Sequence, residues 1–241
     1  MNNKVFLLVF LTYVSLAASG LAPFITKCKW DDTKCLKESS QKAIPLFADG
    51  IPDLKVDQHD PLTIKHVDAS TSNLKLIVTD IVVKGLKNCE AKKITRDIAA
   101  PKLTVKFLCA VDFKGKYDMK GQLFILPIEG HGDLTAHVPK IVITAEVDMT
   151  DKTGKDGKKH WGVKSWRHSF ELKEKSDVRF ENLFPDNEFL RKSTEELIAT
   201  NGNDVITEIG QPIIKATVAK VVDSIKSFFN TVPVEELALE D

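Results

Sequence analysis

The 241-residue sequence has no excess of either charge, and this absence already excludes one class of proteins. Its 34 Lys and Arg residues balance 34 Asp and Glu residues, so the chain lacks the broad positive field of a nucleic-acid binder. Charged residues still make up 28% of the chain, which is too many for a polytopic membrane protein. An apolar fraction of 43% is enough for a sizeable core. The composition indicates a soluble globular protein.

The sequence also lacks the short motifs of common hydrolases and metal enzymes. It contains no Gly-x-Ser-x-Gly, no His-Glu-x-x-His and no Cys-x-x-Cys. Ser165 lies in a strand-like run without a neighbouring glycine, and His131 and His137 are about 20 Å apart on an extended strand. We therefore expect no catalytic residue, no bound metal and no cofactor.

Only one apolar run approaches the length of a membrane span, and it lies at the N-terminus. Residues 5–16 follow Lys4 and precede the small residues 17–20. The run is shorter than the roughly 20 residues that a span needs, and this arrangement is typical of a secretory signal peptide. We expect cleavage after residues 1–19, a single domain over residues 20–241, and a secreted, extracellular protein. A membrane anchor is the alternative.

The chain has only four cysteines, and in an oxidising compartment we expect them to form disulfides rather than a zinc site. Four cysteines allow three pairings. Cys28 and Cys35 stand seven residues apart, just before a predicted helix. Cys89 and Cys109 lie in two predicted strands whose turn centres on residues 98–101, and that register places the two cysteines opposite each other. We expect the pairs Cys28–Cys35 and Cys89–Cys109.

A short helical segment, a long segment of alternating residues and a second helical segment follow one another along the chain. Asp31 or Asp32 can cap a short helix that Gly50 and Pro52 end. Period-two alternation then predicts antiparallel strands, with connections at residues 114–116, 129–132 and 151–157. The apolar positions of these strands are Leu74, Leu76 and Val78; Leu103, Val105, Phe107, Cys109, Val111 and Phe113; and Ile141, Ile143, Ala145, Val147 and Met149.

After Pro185 the period is helical for about 43 residues. This predicts one helix of roughly 60 Å, kinked at Pro212 and weakened at residues 201–203. Because so long a helix cannot bury its apolar stripe in a compact sphere, the preceding sheet must curve around it. The two surfaces either fill each other or enclose an elongated apolar cavity.

Several short motifs occur in a characteristic order before the predicted C-terminal helix. They are Cys28-x6-Cys35, Gly50-Ile51-Pro52, Asp60-Pro61-Leu62, Val83-Lys84-Gly85-Leu86, Gly157-Lys158-Lys159-His160-Trp161 and Glu181-Asn182-Leu183-Phe184. In this order the chain resembles the insect takeout family, which is related to the haemolymph juvenile hormone binding proteins. The resemblance implies an α+β fold in which a highly curved antiparallel sheet wraps a long C-terminal helix around a tunnel for lipophilic ligands. No cysteine lies beyond Cys109, so juvenile hormone specificity is not implied.

The combined interpretation is a monomeric carrier of one small lipophilic molecule, with no nucleic-acid partner and no stable membrane insertion. Face alternation suggests ten residues for the tunnel wall: Phe107, Val111, Phe113, Ile141, Ile143, Trp166, Ile206, Ile209, Ile213 and Phe228. One alternative is a lipid-surface binder with a basic rim near Trp161, formed by Lys152, Lys155, Lys158 and Lys159. A secreted esterase is the less favoured alternative.

Overall fold

The computed structural model describes residues 20–97 and 100–239. The predicted signal peptide at residues 1–19 lies outside these described residues. Among the helices of the described ranges, none combines the length and the apolar character needed to cross a membrane.

The N-terminal helix α1 spans Thr33–Asp49 and begins at the predicted cap. The side chain of Asp32 accepts a hydrogen bond from the backbone N–H of Cys35 at 2.9 Å, which satisfies one of the free donors of the first turn. A disulfide joins Cys35 to Cys28, so the incoming chain is tied to that same turn. The helix ends at Gly50, whose φ of 85° is easily adopted only by glycine.

Within the described residues, seven strands form one antiparallel sheet. Their bounds are β1 Leu62–Asp68, β2 Leu74–Lys84, β3 Glu90–Asp97, β4 Lys102–Leu123, β5 Leu126–Thr153, β6 Lys159–Leu172 and β7 Asp177–Phe180. The long strands β4 and β5 form the centre of the sheet. Strands β2 and β3 pair with different parts of β4 on one side of this centre, and β6 and β7 pair with different parts of β5 on the other side. Strands β4 and β5 have 22 and 28 residues, or contours of about 70 and 90 Å, so they must curve within a domain of this size.

Two of the three predicted strand connections are wrong. Residues 114–116 lie inside β4 and residues 129–132 inside β5, whereas the connection at 151–157 does contain the β5–β6 turn. The internal glycines serve close packing: a Cβ on Gly130 would lie 2.7 Å from the Tyr117 hydroxyl. The true β4–β5 turn, at Phe124 and Ile125, contains none of the usual turn residues.

The C-terminal region forms three helices rather than the one kinked helix that the periodicity predicts, and the breaks fall at the two predicted weak points. The helices are α2 Glu188–Thr200, α3 Gly202–Ile209 and α4 Gln211–Thr231. The breaks fall at Asn201 and Gly210. The second break is adjacent to Pro212, which has no N–H to bond back to the preceding turn and therefore occupies the first turn of a new helix. Short 3-10 helices span Pro52–Leu54, Leu86–Asn88 and Val234–Glu236.

The architecture confirms the predicted α+β class, with one curved antiparallel sheet and the C-terminal helices in a single domain. Helix α4 packs against β6 and β1, α3 against β7, and α1 against β3. The largest core lies between the sheet and these helices. A smaller core joins the C-terminal tail to residues near the start of the chain. Its buried members are Ala22, Leu54, Val56, Phe228, Val232 and Leu237.

Candidate functional site

The space between the sheet and the helices is not completely filled, and a cavity of about 500 Å³ remains. This volume lies within the range of 300–1,000 Å³ common for small-molecule sites. Strands β4 and β5 supply one wall through every second residue. The lining residues are Leu103, Val105, Phe107, Cys109, Val111 and Phe113 from β4, and Leu134, Ala136, Val138, Ile141, Ile143, Ala145, Val147 and Met149 from β5.

An irregularity in β5 keeps this wall continuous. Cys109 and Val111, two residues apart on β4, pair with Ile141 and Val138, which are three residues apart on β5. Such a step would normally turn the later side chains to the opposite face of the sheet. The extra residue is accommodated next to Pro139, a residue that strands tolerate at bulges. The apolar face of β5 therefore continues from Leu134 to Met149, a contour of about 50 Å.

Helices provide the opposite wall. Their lining residues follow the apolar stripe of α3 and α4: Val205, Ile206, Ile209, Ile213, Ile214, Val218, Val221, Val222, Ile225, Phe228 and Phe229. Helix α1 closes a further side with Leu36, Ala43, Ile44, Phe47 and Ala48. The sequence predicted α1 as a helix but did not assign it to the cavity.

Nine of the ten suggested wall residues line this one cavity: Phe107, Val111, Phe113, Ile141, Ile143, Ile206, Ile209, Ile213 and Phe228. Trp166 does not line this cavity. It lies on β6 opposite the wall residue Val147, with its ring 5.8 Å from that of His168, whereas Trp161 and Val163 of the same strand do line the cavity. Face alternation finds the correct side of the sheet but does not show how far the cavity extends across the strands.

One titratable side chain in the wall is almost completely buried. His59 is 4% exposed, and neither ring nitrogen has a hydrogen-bond partner among the described residues. Burial lowers the pKa of His59, with the positive charge of Lys220 acting in the same direction and Asp57 opposing it. The sequence contained no signal for this residue, which stands just before the Asp60-Pro61-Leu62 motif.

Aromatic rings and one cation gather near the β5–β6 hairpin. The guanidinium carbon of Arg96 lies 3.1 Å from the centroid of the Trp30 ring and 5.4 Å from that of Trp161. The Trp161 ring also contacts Phe229, with centroids 5.3 Å apart. All four residues line the cavity, so this end of the wall is aromatic and carries a positive charge.

Several of the residues suggested for the two alternative functions contact other side chains. Two of the four rim lysines form ion pairs, Lys158 with Glu235 at 2.6 Å and Lys159 with Asp151 at 2.8 Å. The Ser165 hydroxyl donates a hydrogen bond to the carboxylate of Asp148 on the exposed part of the sheet. Within residues 20–97 and 100–239, no cluster of three or more His, Cys, Asp or Glu side chains is arranged to hold a metal ion.

Comparisons with known proteins identify the family. The sequence profile described as haemolymph juvenile hormone binding protein matches residues 5–239. The chain belongs to this family. It is a family of binding proteins, and its match confirms the resemblance noted from the short motifs.

Individual relatives and a solved structure agree with this assignment. The circadian clock-controlled protein daywake of Drosophila melanogaster is 27% identical over 237 residues, and that of Drosophila yakuba is 25% identical over 233. Each alignment covers 91% of this chain and 89% of the relative. The crystal structure of Epiphyas postvittana Takeout 1 is 28% identical, with a TM-score of 0.85 over 90% of this chain and 100% of that one.

Proposed function

We propose that this protein is a carrier that encloses one small lipophilic molecule in its internal cavity. The observation that carries the proposal is the continuous apolar wall formed by the sheet, by α3 and α4, and by α1 around about 500 Å³. A well-packed domain of this size would fill such a space with side chains. Family membership supports the same conclusion, since the family is named for binding a lipophilic hormone.

The affinity of such a carrier derives mainly from burial of apolar surface. At about 25 cal/mol per Å², a ligand that buries roughly 300 Å² of hydrocarbon gains about 7 kcal/mol before the entropic cost of association is subtracted. The cavity wall offers few hydrogen-bonding groups to a ligand, because nearly all of its side chains are aliphatic or aromatic. Chain length and shape are therefore expected to matter more than polar substituents, except at the few polar wall positions.

We further propose that the carrier acts outside the cell as a monomer. Two disulfides join its four cysteines, which is the usual state in an oxidising compartment. The N-terminal sequence supports secretion, because Lys4, the apolar run of residues 5–16 and the small residues 17–20 follow the pattern of a signal peptide. N-terminal sequencing of protein secreted by insect cells tests this part: we expect a mature chain that begins near residue 20, whereas a retained residue 1 would contradict it.

Organic extraction of the purified natural protein, followed by mass spectrometry, tests the carrier function directly. We expect one lipophilic compound in a near-stoichiometric amount. The extracted protein should then bind the fluorescent probe N-phenyl-1-naphthylamine in a saturable way, and long-chain lipids should displace it. Absence of any extracted compound together with absence of probe binding would overturn the proposal.

A further inference from the structure

His59 lies in the cavity wall on a segment that several parts of the chain hold in place. Its backbone N–H donates to the carbonyl of Ala48 at the end of α1, at 2.9 Å, and the N–H of Asp60 donates to the same oxygen at 3.0 Å. The N–H of Asp57 donates to the hydroxyl of Ser224 on α4, at 3.4 Å. The backbone that carries His59 is therefore anchored to both helices.

The next residue fixes the segment to the sheet. The carboxylate of Asp60 accepts hydrogen bonds from the N–H groups of Gly85 and Lys87, which follow β2, at 3.1 and 2.8 Å. Hydrogen bonds to an ionised acceptor are among the stronger ones in proteins. A backbone held from three directions, together with a side chain that is only 4% exposed, restricts the positions open to the imidazole, so much of the entropic cost of orienting it was met when the chain folded.

The chemistry of this position is unusual for so apolar a wall. A neutral imidazole carries one N–H donor and one nitrogen acceptor, and burying either of them without a partner is unfavourable. The charged groups that act on the ring are Asp57 on its own segment and Lys220 on α4. Neither forms a hydrogen bond with it.

We propose that His59 binds the single polar group of an otherwise apolar ligand, and that this group is an uncharged oxygen function such as an alcohol, an ester or a ketone. The inference rests on the proposed carrier function. An alcohol or carbonyl oxygen can pair with one ring nitrogen without bringing a charge into the cavity. A carboxylate would have to lose most of its hydration in an apolar wall, and a plain hydrocarbon would leave the imidazole unpaired.

Competition between matched twelve-carbon probes tests the proposal. Dodecan-1-ol, methyl dodecanoate, dodecanoate and dodecane each displace N-phenyl-1-naphthylamine, and their dissociation constants are measured for the wild type and for His59→Leu. We expect the alcohol and the ester to bind the wild type about ten-fold more tightly than dodecane, which corresponds to one buried hydrogen bond. In His59→Leu this preference should disappear while the fluorescent probe still binds.

Two further variants separate recognition from damage to the fold. His59→Gln keeps a donor and an acceptor and should retain most of the preference. His168→Leu is the matched control, because His168 is a partly buried histidine that does not line the cavity and whose Nε2 atom, like the ring nitrogens of His59, has no hydrogen-bond partner among the described residues; it should leave the preference unchanged.

The possible results distinguish this inference from the carrier function. Equal affinity of the wild type for dodecan-1-ol and dodecane, or tightest binding of dodecanoate, would overturn the role of His59 while leaving the carrier function in place. Failure of the wild type to bind the fluorescent probe or any lipid would overturn the carrier function itself.

Discussion

Cys89 and Cys109 lie opposite each other at the end of the β3–β4 ribbon, with their Cα atoms 4.4 Å apart, and their disulfide forms part of the cavity wall. A one-residue irregularity between Ala91 and Lys93 shifts the pairing of the two strands before this point. Without the shift, Cys89 would face Ala110. The irregularity therefore sets the register in which the two cysteines meet and form a disulfide on the inward face of β4.

Removing this disulfide should lower the free energy of unfolding and make the cavity wall less rigid. Replacement of Cys89 and Cys109 by alanine opens a loop of 20 residues, for which the chain-entropy estimate is about 3 kcal/mol. Urea unfolding followed by tryptophan fluorescence measures this loss. The pair Cys28→Ala with Cys35→Ala is the comparison, because its seven-residue loop predicts a smaller loss of about 2.4 kcal/mol. A larger loss for the shorter loop would contradict the estimate.

Much of this wall could be predicted from the sequence, because alternation is a local property. All the apolar positions read from Leu103 to Phe113 and from Ile141 to Met149 line the cavity. The same reasoning misplaced two turns, because glycine inside a long strand gives the same local signal as glycine in a turn. Gly130 is needed where Tyr117 and the backbone of Asn182 approach closely, and only the folded structure brings those groups together.

The polar features of the cavity could not be predicted in this way. His59 belongs to a short loop without periodicity, and its burial depends on α1, α4 and the residues after β2 closing around it.

The sequence predicts the break between α3 and α4 only as a kink at Pro212. The structure ends the helix at Ile209 and begins another at Gln211, because the first turn of a new helix tolerates proline better than the middle of a continuous one.

Filling the cavity should abolish ligand binding without unfolding the protein. Ala145 is a small wall residue in the middle of the apolar face of β5, and Ala145→Phe places a phenyl ring in the space of about 500 Å³. We expect the dissociation constant of N-phenyl-1-naphthylamine to rise at least ten-fold and the melting temperature to stay the same or to increase. Thr144→Phe adds the same ring to the opposite face of β5 and should leave binding unchanged. Equal loss of binding in both variants would contradict the cavity as the site.

The protein should become less stable as the pH falls below about 6.5. Burial lowers the pKa of His59 and, together with the charge of Lys215, the pKa of His168. Below the unfolded value of about 6.5 the unfolded chain therefore binds more protons than the folded one, and the free energy of unfolding decreases. Carboxylates with lowered pKa values, such as that of Asp156, contribute only at lower pH.

Chemical denaturation at pH 7.5 and pH 5.5 measures this difference. The double variant His59→Leu with His168→Leu should show a smaller change between the two pH values than the wild type, whatever its absolute stability. An unchanged difference in the double variant would assign the acid sensitivity to other groups.

The buried hydroxyl of Tyr117 should stabilise the connection between the sheet and the C-terminal helices. It donates a hydrogen bond to the carbonyl oxygen of Glu181 at 2.7 Å, just after β7, and burial raises its pKa. Tyr117→Phe removes the donor and leaves that carbonyl without it, so we expect the free energy of unfolding to fall by about 1 kcal/mol. Thr207→Val is the control, because its exposed hydroxyl bonds only to Asn203 in its own helix. Because Tyr117 lies outside the cavity wall, probe affinity should not change in either variant; a loss of affinity in Tyr117→Phe would mean that this contact also shapes the cavity.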